Sequence, residues 1–510
     1  MNNLNFLVDV LKESPVFKTL EKNVKPGRTV CASGLSTINK SNIIYALCRL
    51  KGVTAFCLAS DEKEAQTLCN DLSCMGLRAY VYPVRDFNFL DFQSRSHEYE
   101  HARLKVLLKL INHECDVAIA CVDAAAQLTV PKNVLEQSVI EFEEGRELSL
   151  EKATKALTLL GYERFDAVEG SGQFSLRGGI LDFFMPDSDY PVRCEFWGDE
   201  ITDLSYFDIE TQRRFKKADK ITLSPSTEIV IEDRAALADK IEHKAKLLRS
   251  KNRAKAKEKL FSEAELIRSG AMIANADKFI NQIYDTPESL FDYLDRNTLV
   301  FASEFTAIQE RGKSMDFISN ETLMQGFEDG TLCRGFDRFA LTFNECTEFL
   351  QSHGTIVLEN FVHGSMPIKL SEIISFSTKQ LSAWGGSYKQ LKEDVDGLFT
   401  SESKGVIFAG TERAAKNLCD TFNADGINAV YSEGADKISK GELLVMQGAL
   451  SAGFEYPSQK FFAITYSQVS YRPEKSKKKK KKTGKEIYSL SELAPGDYVV
   501  HNVHGIGVFG

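Results

Sequence analysis

A loop near the N-terminus carries the residue types that bind nucleotide phosphates. The segment Gly34 to Ser41, GLSTINKS, follows an apolar run and nearly matches the phosphate-loop pattern G-x-x-x-x-G-K-[ST]. Lys40 and Ser41 are in place, but Asn39 replaces the second glycine. Glycine lets backbone N–H groups curl around a phosphate, and a side chain at that position crowds the cradle. We therefore predict a degenerate, inactive phosphate loop. The alternative is a weak nucleotide site at Lys40.

A second position bears on the same chemistry. ATP-driven motors use an Asp-Glu pair after a buried strand to hold Mg²⁺ and polarise water. The matching segment here, VFASEF, has Ser303 and Glu304 instead. Loss of the metal-positioning carboxylate removes the electrostatic centre of phosphoryl transfer. We predict a degenerate metal position and no catalytic residue, and we expect no metal or cofactor in this chain.

A third feature is a group of strands that places arginines and a tryptophan on one face. Along VRCEFW the apolar residues alternate with Arg193, Glu195 and Trp197, and successive strand side chains point to opposite faces. In the preceding strand, QFSLR, the outward set is Ser175 and Arg177. An outward tryptophan beside two arginines has the composition of a protein-binding hot spot. The alternative is that Trp197 caps an apolar edge and that the arginines are merely solvated.

Composition limits the class of protein. A chain of 510 residues with 43% hydrophobic and 26% charged residues is typical of several globular domains. No apolar run is long enough for a membrane span, and the N-terminus has no cleavage signal. The 11 cysteines are scattered without metal-ligand spacing, which favours free thiols in a reducing cytoplasm.

The element pattern predicts an α/β multidomain chain. Strands alternate with helices in the first segment, which indicates a parallel sheet with right-handed crossovers. The predicted units are an α/β domain, a small inserted α+β domain, a mainly helical part, a second small α/β domain, a lysine-rich linker and the start of a small β-barrel, at residues 1–137, 138–225, 226–345, 346–470, 471–488 and 489–510.

Charge is distributed unevenly. The net charge is −9, yet residues 472–485 hold nine basic residues and one acidic residue, so the remaining chain is about −17. This argues against a broad DNA-binding surface and predicts a disordered linker. Residues 240–259 carry nine Lys or Arg against two Glu. They either form the solvated face of one long helix or meet phosphates.

Three strings carry a resemblance to a known family. They are R-G-G-x-L-D-x-F-x-P from Arg177, P-x-R-x-E-F-W-x-D-E-I from Pro191 and F-D-x-x-T-Q-R from Phe207. Together they resemble the domain that the excision-repair subunit UvrB shares with the bacterial transcription-repair coupling factors (Mfd). A fourth string, P-G-D-Y-V-V-H-x-x-H-G-I-G at 495–507, resembles the start of the RNA-polymerase-interaction barrel of the coupling factors, which UvrB lacks.

The resemblance implies a function. Residues 1–137 and 226–345 would form a UvrB-like module with a degenerate helicase-like sheet, and residues 138–225 would bind UvrA through Arg177, Arg193 and Trp197. The chain would recruit UvrA to stalled polymerase in the bacterial cytoplasm. ATP and magnesium would serve only the family's motor, which this chain lacks. The RNA polymerase β subunit would be a partner only with a complete barrel, and DNA binding would be weak or reside in other domains. The alternatives are a UvrB-type helicase component and a scaffold with an unrelated partner.

Overall fold

The structure is a computed structural model of the 510-residue chain. It describes residues 4–85, 97–248, 254–270, 276–362, 366–385, 387–466, 498–501 and 505–508. The predicted linker at 471–488 lies outside the described residues.

The bounds of the elements follow in chain order. The helices are α1 (Asn5–Glu13), α2 (Pro15–Asn23), α3 (Thr37–Lys51), α4 (Glu62–Cys74), α5 (Glu98–Ile111), α6 (Val122–Ala126), α7 (Lys132–Gln137), α8 (Leu150–Leu159), α9 (Arg234–Lys246), α10 (Ala254–Arg268), α11 (Ile280–Ile283), α12 (Phe305–Glu328), α13 (Phe343–His353), α14 (Tyr388–Leu398) and α15 (Glu412–Ala424). The strands are β1 (Val30–Ser33), β2 (Ala55–Ala59), β3 (Ala79–Tyr82), β4 (Val117–Cys121), β5 (Ile140–Glu143), β6 (Glu163–Arg164), β7 (Gln173–Arg177), β8 (Ile180–Phe183), β9 (Val192–Trp197), β10 (Glu200–Phe207), β11 (Arg214–Lys217), β12 (Lys220–Leu223), β13 (Leu299–Ser303), β14 (Thr355–Leu358), β15 (Glu372–Ser375), β16 (Lys379–Leu381), β17 (Lys404–Phe408), β18 (Ala429–Ser432), β19 (Glu442–Met446), β20 (Gly453–Tyr456), β21 (Phe461–Thr465), β22 (Tyr498–His501) and β23 (Gly505–Val508).

The largest sheet of the described residues has seven parallel strands in the order β15-β1-β14-β13-β2-β4-β3. Its inner strands β2 and β4 are apolar and buried along their whole length, as a parallel sheet covered by helices on both faces requires. The predicted parallel α/β sheet is confirmed. Because β14 and β15 belong to it, the sheet ends only at Ser375, later than the boundary predicted between residues 345 and 346.

Helix α3, which follows the phosphate-loop segment, is enclosed on all sides. Every residue from Ile38 to Cys48 is buried. One hydrophobic cluster joins α3 and Val30 of the first sheet to Val406 and Phe454 of the unit that follows. The α/β domain predicted at residues 346–470, called the third unit below, therefore shares a core with the first sheet. The polar residues at the start of α3 consequently need partners inside the protein.

The inserted unit predicted at residues 138–225 is a small α+β domain. Its sheet has the order β11-β10-β9-β8-β7-β6, and β5 pairs separately with β12. Helix α8 packs on the apolar face of this sheet. Ser149 caps α8 by accepting from the backbone N of Lys152, and Gly161, at a φ of +87°, follows its end.

The third unit contains a sheet in the order β16-β20-β21-β17-β19-β18. Strands β17, β18, β19 and β21 are parallel to one another. Strand β20 is antiparallel to β21 on one side and to the edge strand β16 on the other. Helices α14 and α15 contribute to the core on one side of this sheet. The α/β character predicted for residues 346–470 is confirmed by these strands and helices.

The basic run at 240–259 does not form one long helix, so that prediction is wrong. Helix α9 ends at Lys246, and α10 begins at Ala254. The two helices pack against each other through a small apolar cluster of their own. Near the C-terminus, β22 and β23 form an antiparallel pair. No helix among the described residues combines the length and apolar character that crossing a membrane would need.

Candidate functional site

The phosphate-loop segment is a short connection that continues directly into a helix. Strand β1 ends at Ser33 and α3 begins at Thr37, so three residues separate strand and helix. Asn39 and Lys40 already lie within the helix. An asparagine accepts helical backbone angles, whereas a phosphate cradle needs the conformational freedom of glycine at this position. The structure therefore places Asn39 at a helical position in the first turn of α3.

The first two backbone N–H groups of this segment donate to another part of the protein. The N–H of Gly34 donates to the carbonyl of Asn360 at 3.2 Å, and that of Leu35 donates to the carbonyl of Glu359 at 3.1 Å. Gly34 has a φ of +79°, and a Cβ there would lie 2.2 Å from the carbonyl oxygen of Phe376. Glycine is required here because another chain segment approaches closely, not because a ligand does.

The ammonium group of Lys40 is buried among protein groups. It lies 2.6 Å from Oε1 of Glu304, 3.2 Å from Oε1 of Glu64 and 2.9 Å from the hydroxyl of Ser303. The Lys40 side chain is 2% exposed. Burial opposes ionisation of Glu64, but Lys40 and the Ser303 hydroxyl outweigh it and lower the pKa of that carboxyl. The lysine charge is therefore already compensated.

The residues at the predicted metal position, Ser303 and Glu304, are likewise bonded to other groups of the protein. Ser303 donates to Oε1 of Glu64 at 2.6 Å, and Glu304 accepts from the backbone N of Asn360 at 3.0 Å. Glu359 lies beside them, and burial together with the charge of Glu304 raises its pKa to about 7. These residues do not fit a nucleotide phosphate with its magnesium ion, because Lys40 and Ser303 already serve the protein's own carboxylates.

The remaining polar residues of α3 face the third unit. Asp71 accepts from the hydroxyl of Ser41 at 3.3 Å and from the backbone N and hydroxyl of Ser451, both at 2.7 Å. Asn42 donates to the hydroxyl of Tyr456 at 3.0 Å. Burial raises the pKa of Asp71 to about 6. The residue that matches the magnesium-binding serine thus takes part in a contact between units, which the sequence analysis missed.

The predicted interaction residues lie together on one face of the inserted sheet. The side chain of Arg177 is 53% exposed, and Trp197 is 82% exposed. Arg193 belongs to the same face, but its side chain is only 13% exposed. Ser175, predicted to face solvent, is buried at 1%. The alternation along β9 is confirmed, but Ser175 is buried and Arg193 is nearly so, because Arg193 turns toward a buried carboxylate.

That carboxylate belongs to Asp182 on β8, the strand between the two arginines. Arg193 donates from Nε to Oδ1 at 2.7 Å and from Nη2 to Oδ2 at 2.8 Å. Arg177 donates from Nη2 to Oδ2 at 3.0 Å. The Asp182 side chain is 1% exposed. A sequence reading could have located Asp182 from strand register, because it is paired directly with Arg193.

The T-Q-R string forms the turn that completes this arrangement. Asp208 accepts from the backbone N and the hydroxyl of Thr211, both at 2.8 Å. This places Gln212, at a φ of +57°, where its backbone carbonyl and Oε1 accept from Arg193 at 3.2 and 3.1 Å. The guanidinium of Arg193 also stacks 4.5 Å from the ring centroid of Phe207. Residues far apart in the motif therefore converge on one arginine.

A second group of side chains has metal-ligand types but is held by an arginine. Glu62, Cys121 and Asp123 lie close enough together to hold an ion. Arg311, however, donates to Asp123 at 2.7 and 3.0 Å and to Glu62 at 3.2 Å. Its guanidinium supplies the positive charge, so the group carries no indication of a metal site.

Comparison with known proteins assigns the inserted domain to a class. The family described as UvrB interaction domain matches residues 140–229, which include the face formed by Arg177, Arg193 and Trp197. This unit is thus a UvrB-type interaction domain set between parts of an α/β unit.

The whole chain is similar to one kind of protein. It is 28% identical to the transcription-repair-coupling factor of Bacillus subtilis over 515 residues, covering 98% of this chain and 43% of the relative. It is 25% identical to that of Staphylococcus haemolyticus over 442 residues, covering 84% and 37%. It is 23% identical to that of Staphylococcus aureus strain MRSA252 over 518 residues, covering 99% and 44%. The chain spans less than half the length of these curated relatives. The resemblance to the N-terminal part of the bacterial transcription-repair coupling factors is confirmed.

Proposed function

We propose that this chain is the UvrA-recruiting N-terminal region of a transcription-repair coupling factor, which links stalled RNA polymerase to nucleotide excision repair. The observation that carries the proposal is the exposed pair of Arg177 and Trp197 on a UvrB-type interaction domain. Tryptophan and arginine are the residues most enriched in binding hot spots. Arg193 supports the same face from a more buried position.

The exposure of Trp197 favours this function over a purely structural role. An indole that is 82% exposed gains little from the fold of its own domain. On a partner, the same ring can bury a large apolar area at a low entropy cost. The flanking guanidinium of Arg177 adds a donor for a partner carboxylate.

The test uses Trp197 as its own reporter. The chain has two tryptophans, so Trp384→Phe leaves Trp197 as the only site for fluorotryptophan labelling. We expect the fluorine NMR signal of Trp197 to shift saturably when unlabelled UvrA is added. Calorimetric titration should show weaker UvrA binding for Arg177→Ala and for Trp197→Ala.

Two exposed residues of the same domain provide matched controls. Arg146 has a 47% exposed side chain, and Phe215 is 53% exposed. We expect Arg146→Ala and Phe215→Ala to bind UvrA as the unchanged chain does. Equal losses in all four variants, or an unshifted Trp197 signal, would instead favour a scaffold with an unrelated partner.

We further propose that the chain has no ATPase activity and no cofactor of its own. The helicase-like first sheet would serve as a scaffold, with ATP and magnesium used only by a motor elsewhere in such proteins. Support comes from the carboxylates around Lys40 and from the backbone contacts at Gly34. The alternative, a UvrB-type helicase component, needs an open phosphate loop, which these contacts disfavour.

Residues 489–510 are proposed to begin an RNA-polymerase-interaction barrel. The described part is the pair β22 and β23. Binding to the RNA polymerase β subunit would require the remaining strands, and any DNA contact would be weak. We expect no complex between this chain and RNA polymerase in analytical ultracentrifugation. The bacterial cytoplasm, where UvrA and polymerase meet, is the proposed location.

A further inference from the structure

A single buried carboxylate joins the two arginines of the interaction face. Asp182 lies on β8, between β7, which carries Arg177, and β9, which carries Arg193. In register, Asp182 is paired with Ser175 on one side and with Arg193 on the other. Both of its oxygens accept hydrogen bonds from guanidinium groups at 2.7 to 3.0 Å. A charge buried to this degree is retained only with such partners.

The two arginines differ in how many donors remain open. A guanidinium has five N–H donors. Arg193 makes four hydrogen bonds, two to Asp182 and two to Gln212. Arg177 makes one, to Asp182. Arg177 therefore keeps four donors on a side chain that is 53% exposed, whereas Arg193 is 13% exposed and nearly saturated.

We propose that Asp182 is a positioning residue that fixes Arg177 for the partner, and that Arg193 acts with it from inside the domain rather than as the contact itself. The inference rests on the proposed function. A partner carboxylate would meet Arg177 beside Trp197. An arginine held by one hydrogen bond in advance loses less rotamer freedom on binding, which strengthens the complex without adding a contact.

The experiment compares two aspartates with similar partners. Asp182→Asn removes the charge beneath the face, and Asp116→Asn does the same to a pair remote from it, in which Arg78 lies 2.7 Å from Oδ1 of Asp116. We expect Asp182→Asn to weaken UvrA binding about tenfold, because a hydrogen bond to a charged group contributes about 1.5 kcal/mol. Asp116→Asn should leave the affinity within about twofold. Wild-type affinity in Asp182→Asn would overturn the proposal.

A double-mutant cycle separates positioning from a general structural role. In the Arg177→Ala background there is no contact arginine left to position. In that background Asp182→Asn should lower the affinity for UvrA by less than about threefold, because the effects of coupled residues are not additive. The same tenfold loss in both backgrounds would mean that Asp182 acts only on the fold. If Asp182→Asn opens the domain, Gln212→Ala replaces it, since it loosens Arg193 without touching the buried carboxylate.

An observation without UvrA distinguishes this inference from the proposed function. The Nε–H of Arg193 donates to Asp182 inside the domain, so its NMR signal should exchange slowly with solvent. Arg193→Lys assigns the signal by removing it, and Asp182→Asn should restore fast exchange. If UvrA fails to bind the unchanged chain, the proposed function fails, and this signal alone decides the role of Asp182. Fast solvent exchange of the Arg193 Nε–H in the unchanged chain would overturn the role proposed for Asp182.

Discussion

The ammonium nitrogen of Lys40 lies 2.6 Å from Oε1 of Glu304, at the point where β13 ends and α12 begins. In a phosphate loop that lysine would reach for phosphate oxygens. Here it also contacts Glu64 on α4 and is 2% exposed. Lys40, on α3, is therefore a structural cross-link from that helix to α4 and to the connection between β13 and α12.

Removing this lysine should affect stability rather than turnover. Lys40→Ala would leave the carboxylates of Glu64 and Glu304 without their buried partner, which typically costs about 3–5 kcal/mol. Because the side chain of Glu304 is 27% exposed, we expect the lower end of that range. Urea unfolding measures the loss. The control is Lys404→Ala, which removes an ion pair to the half-exposed Glu13 and should cost less than about 1 kcal/mol.

The same variant tests the proposed lack of ATPase activity. Phosphate release should be absent from the unchanged chain and from Lys40→Ala, with or without DNA. Measurable ATP turnover that disappears in Lys40→Ala would contradict the assignment, because it would require Lys40 to leave Glu304 for a nucleotide.

The sequence predicted the parts of the fold that depend on local pattern. Period-two alternation placed Trp197 and Arg193 on one face of β9, and the alternation of strands with helices indicated the parallel sheet. Each of these signals lies within a few residues of what it predicts.

Relations between distant segments were not predictable in this way. Strand β14 is a short buried run and β15 a short, mostly exposed one, and neither pattern encodes which sheet the strand joins. The contact between Asp71 and Ser451 spans 380 positions. The sequence analysis gave Asp182 no role, although its register opposite Arg193 places it between the two arginines of the interaction face.

Asp71 should make stability depend on pH. Burial raises its pKa to about 6, above its usual value of 3.8. The folded state therefore holds the proton more tightly than the unfolded state. Below about pH 4 both states are protonated and the stability is full, and it falls as the pH rises through about 6. A shift of this size corresponds to about 3 kcal/mol.

Asp71→Asn should abolish that dependence. An asparagine can accept from the backbone N of Ser451 and donate to the hydroxyl of Ser41, so the site remains satisfied. Between pH 4 and pH 7 the unchanged chain should lose about 3 kcal/mol relative to Asp71→Asn in urea unfolding. Parallel stability profiles for the two proteins would show that Asp71 is ionised in the folded state throughout this range.

Charge reversal should separate the two arginines of the interaction domain. Arg193→Glu places a carboxylate against buried Asp182 and should destabilise the domain by about 3–5 kcal/mol. Arg177→Glu, on a half-exposed side chain, should cost less than about 1 kcal/mol. The readout is thiol labelling of Cys194, which lies buried in the domain core and whose pKa burial raises to about 12. Equal labelling rates at Cys194 in both variants would contradict the predicted difference in domain stability.

Trp197 should tolerate another aromatic ring but not its removal. Because the indole is 82% exposed, neither Trp197→Phe nor Trp197→Ala should change the free energy of unfolding by more than about 0.5 kcal/mol.

The affinity for UvrA should respond differently to the two Trp197 variants. Trp197→Ala removes an anchor and should cost about 2 kcal/mol or more, about a thirtyfold loss of affinity. Trp197→Phe keeps a flat apolar ring, so its affinity for UvrA should stay within about threefold of that of the unchanged chain. Calorimetric titration of UvrA into all three proteins measures both effects. Equal affinity for the alanine and phenylalanine variants would mean that the ring is not the anchor and that Arg177 carries the contact.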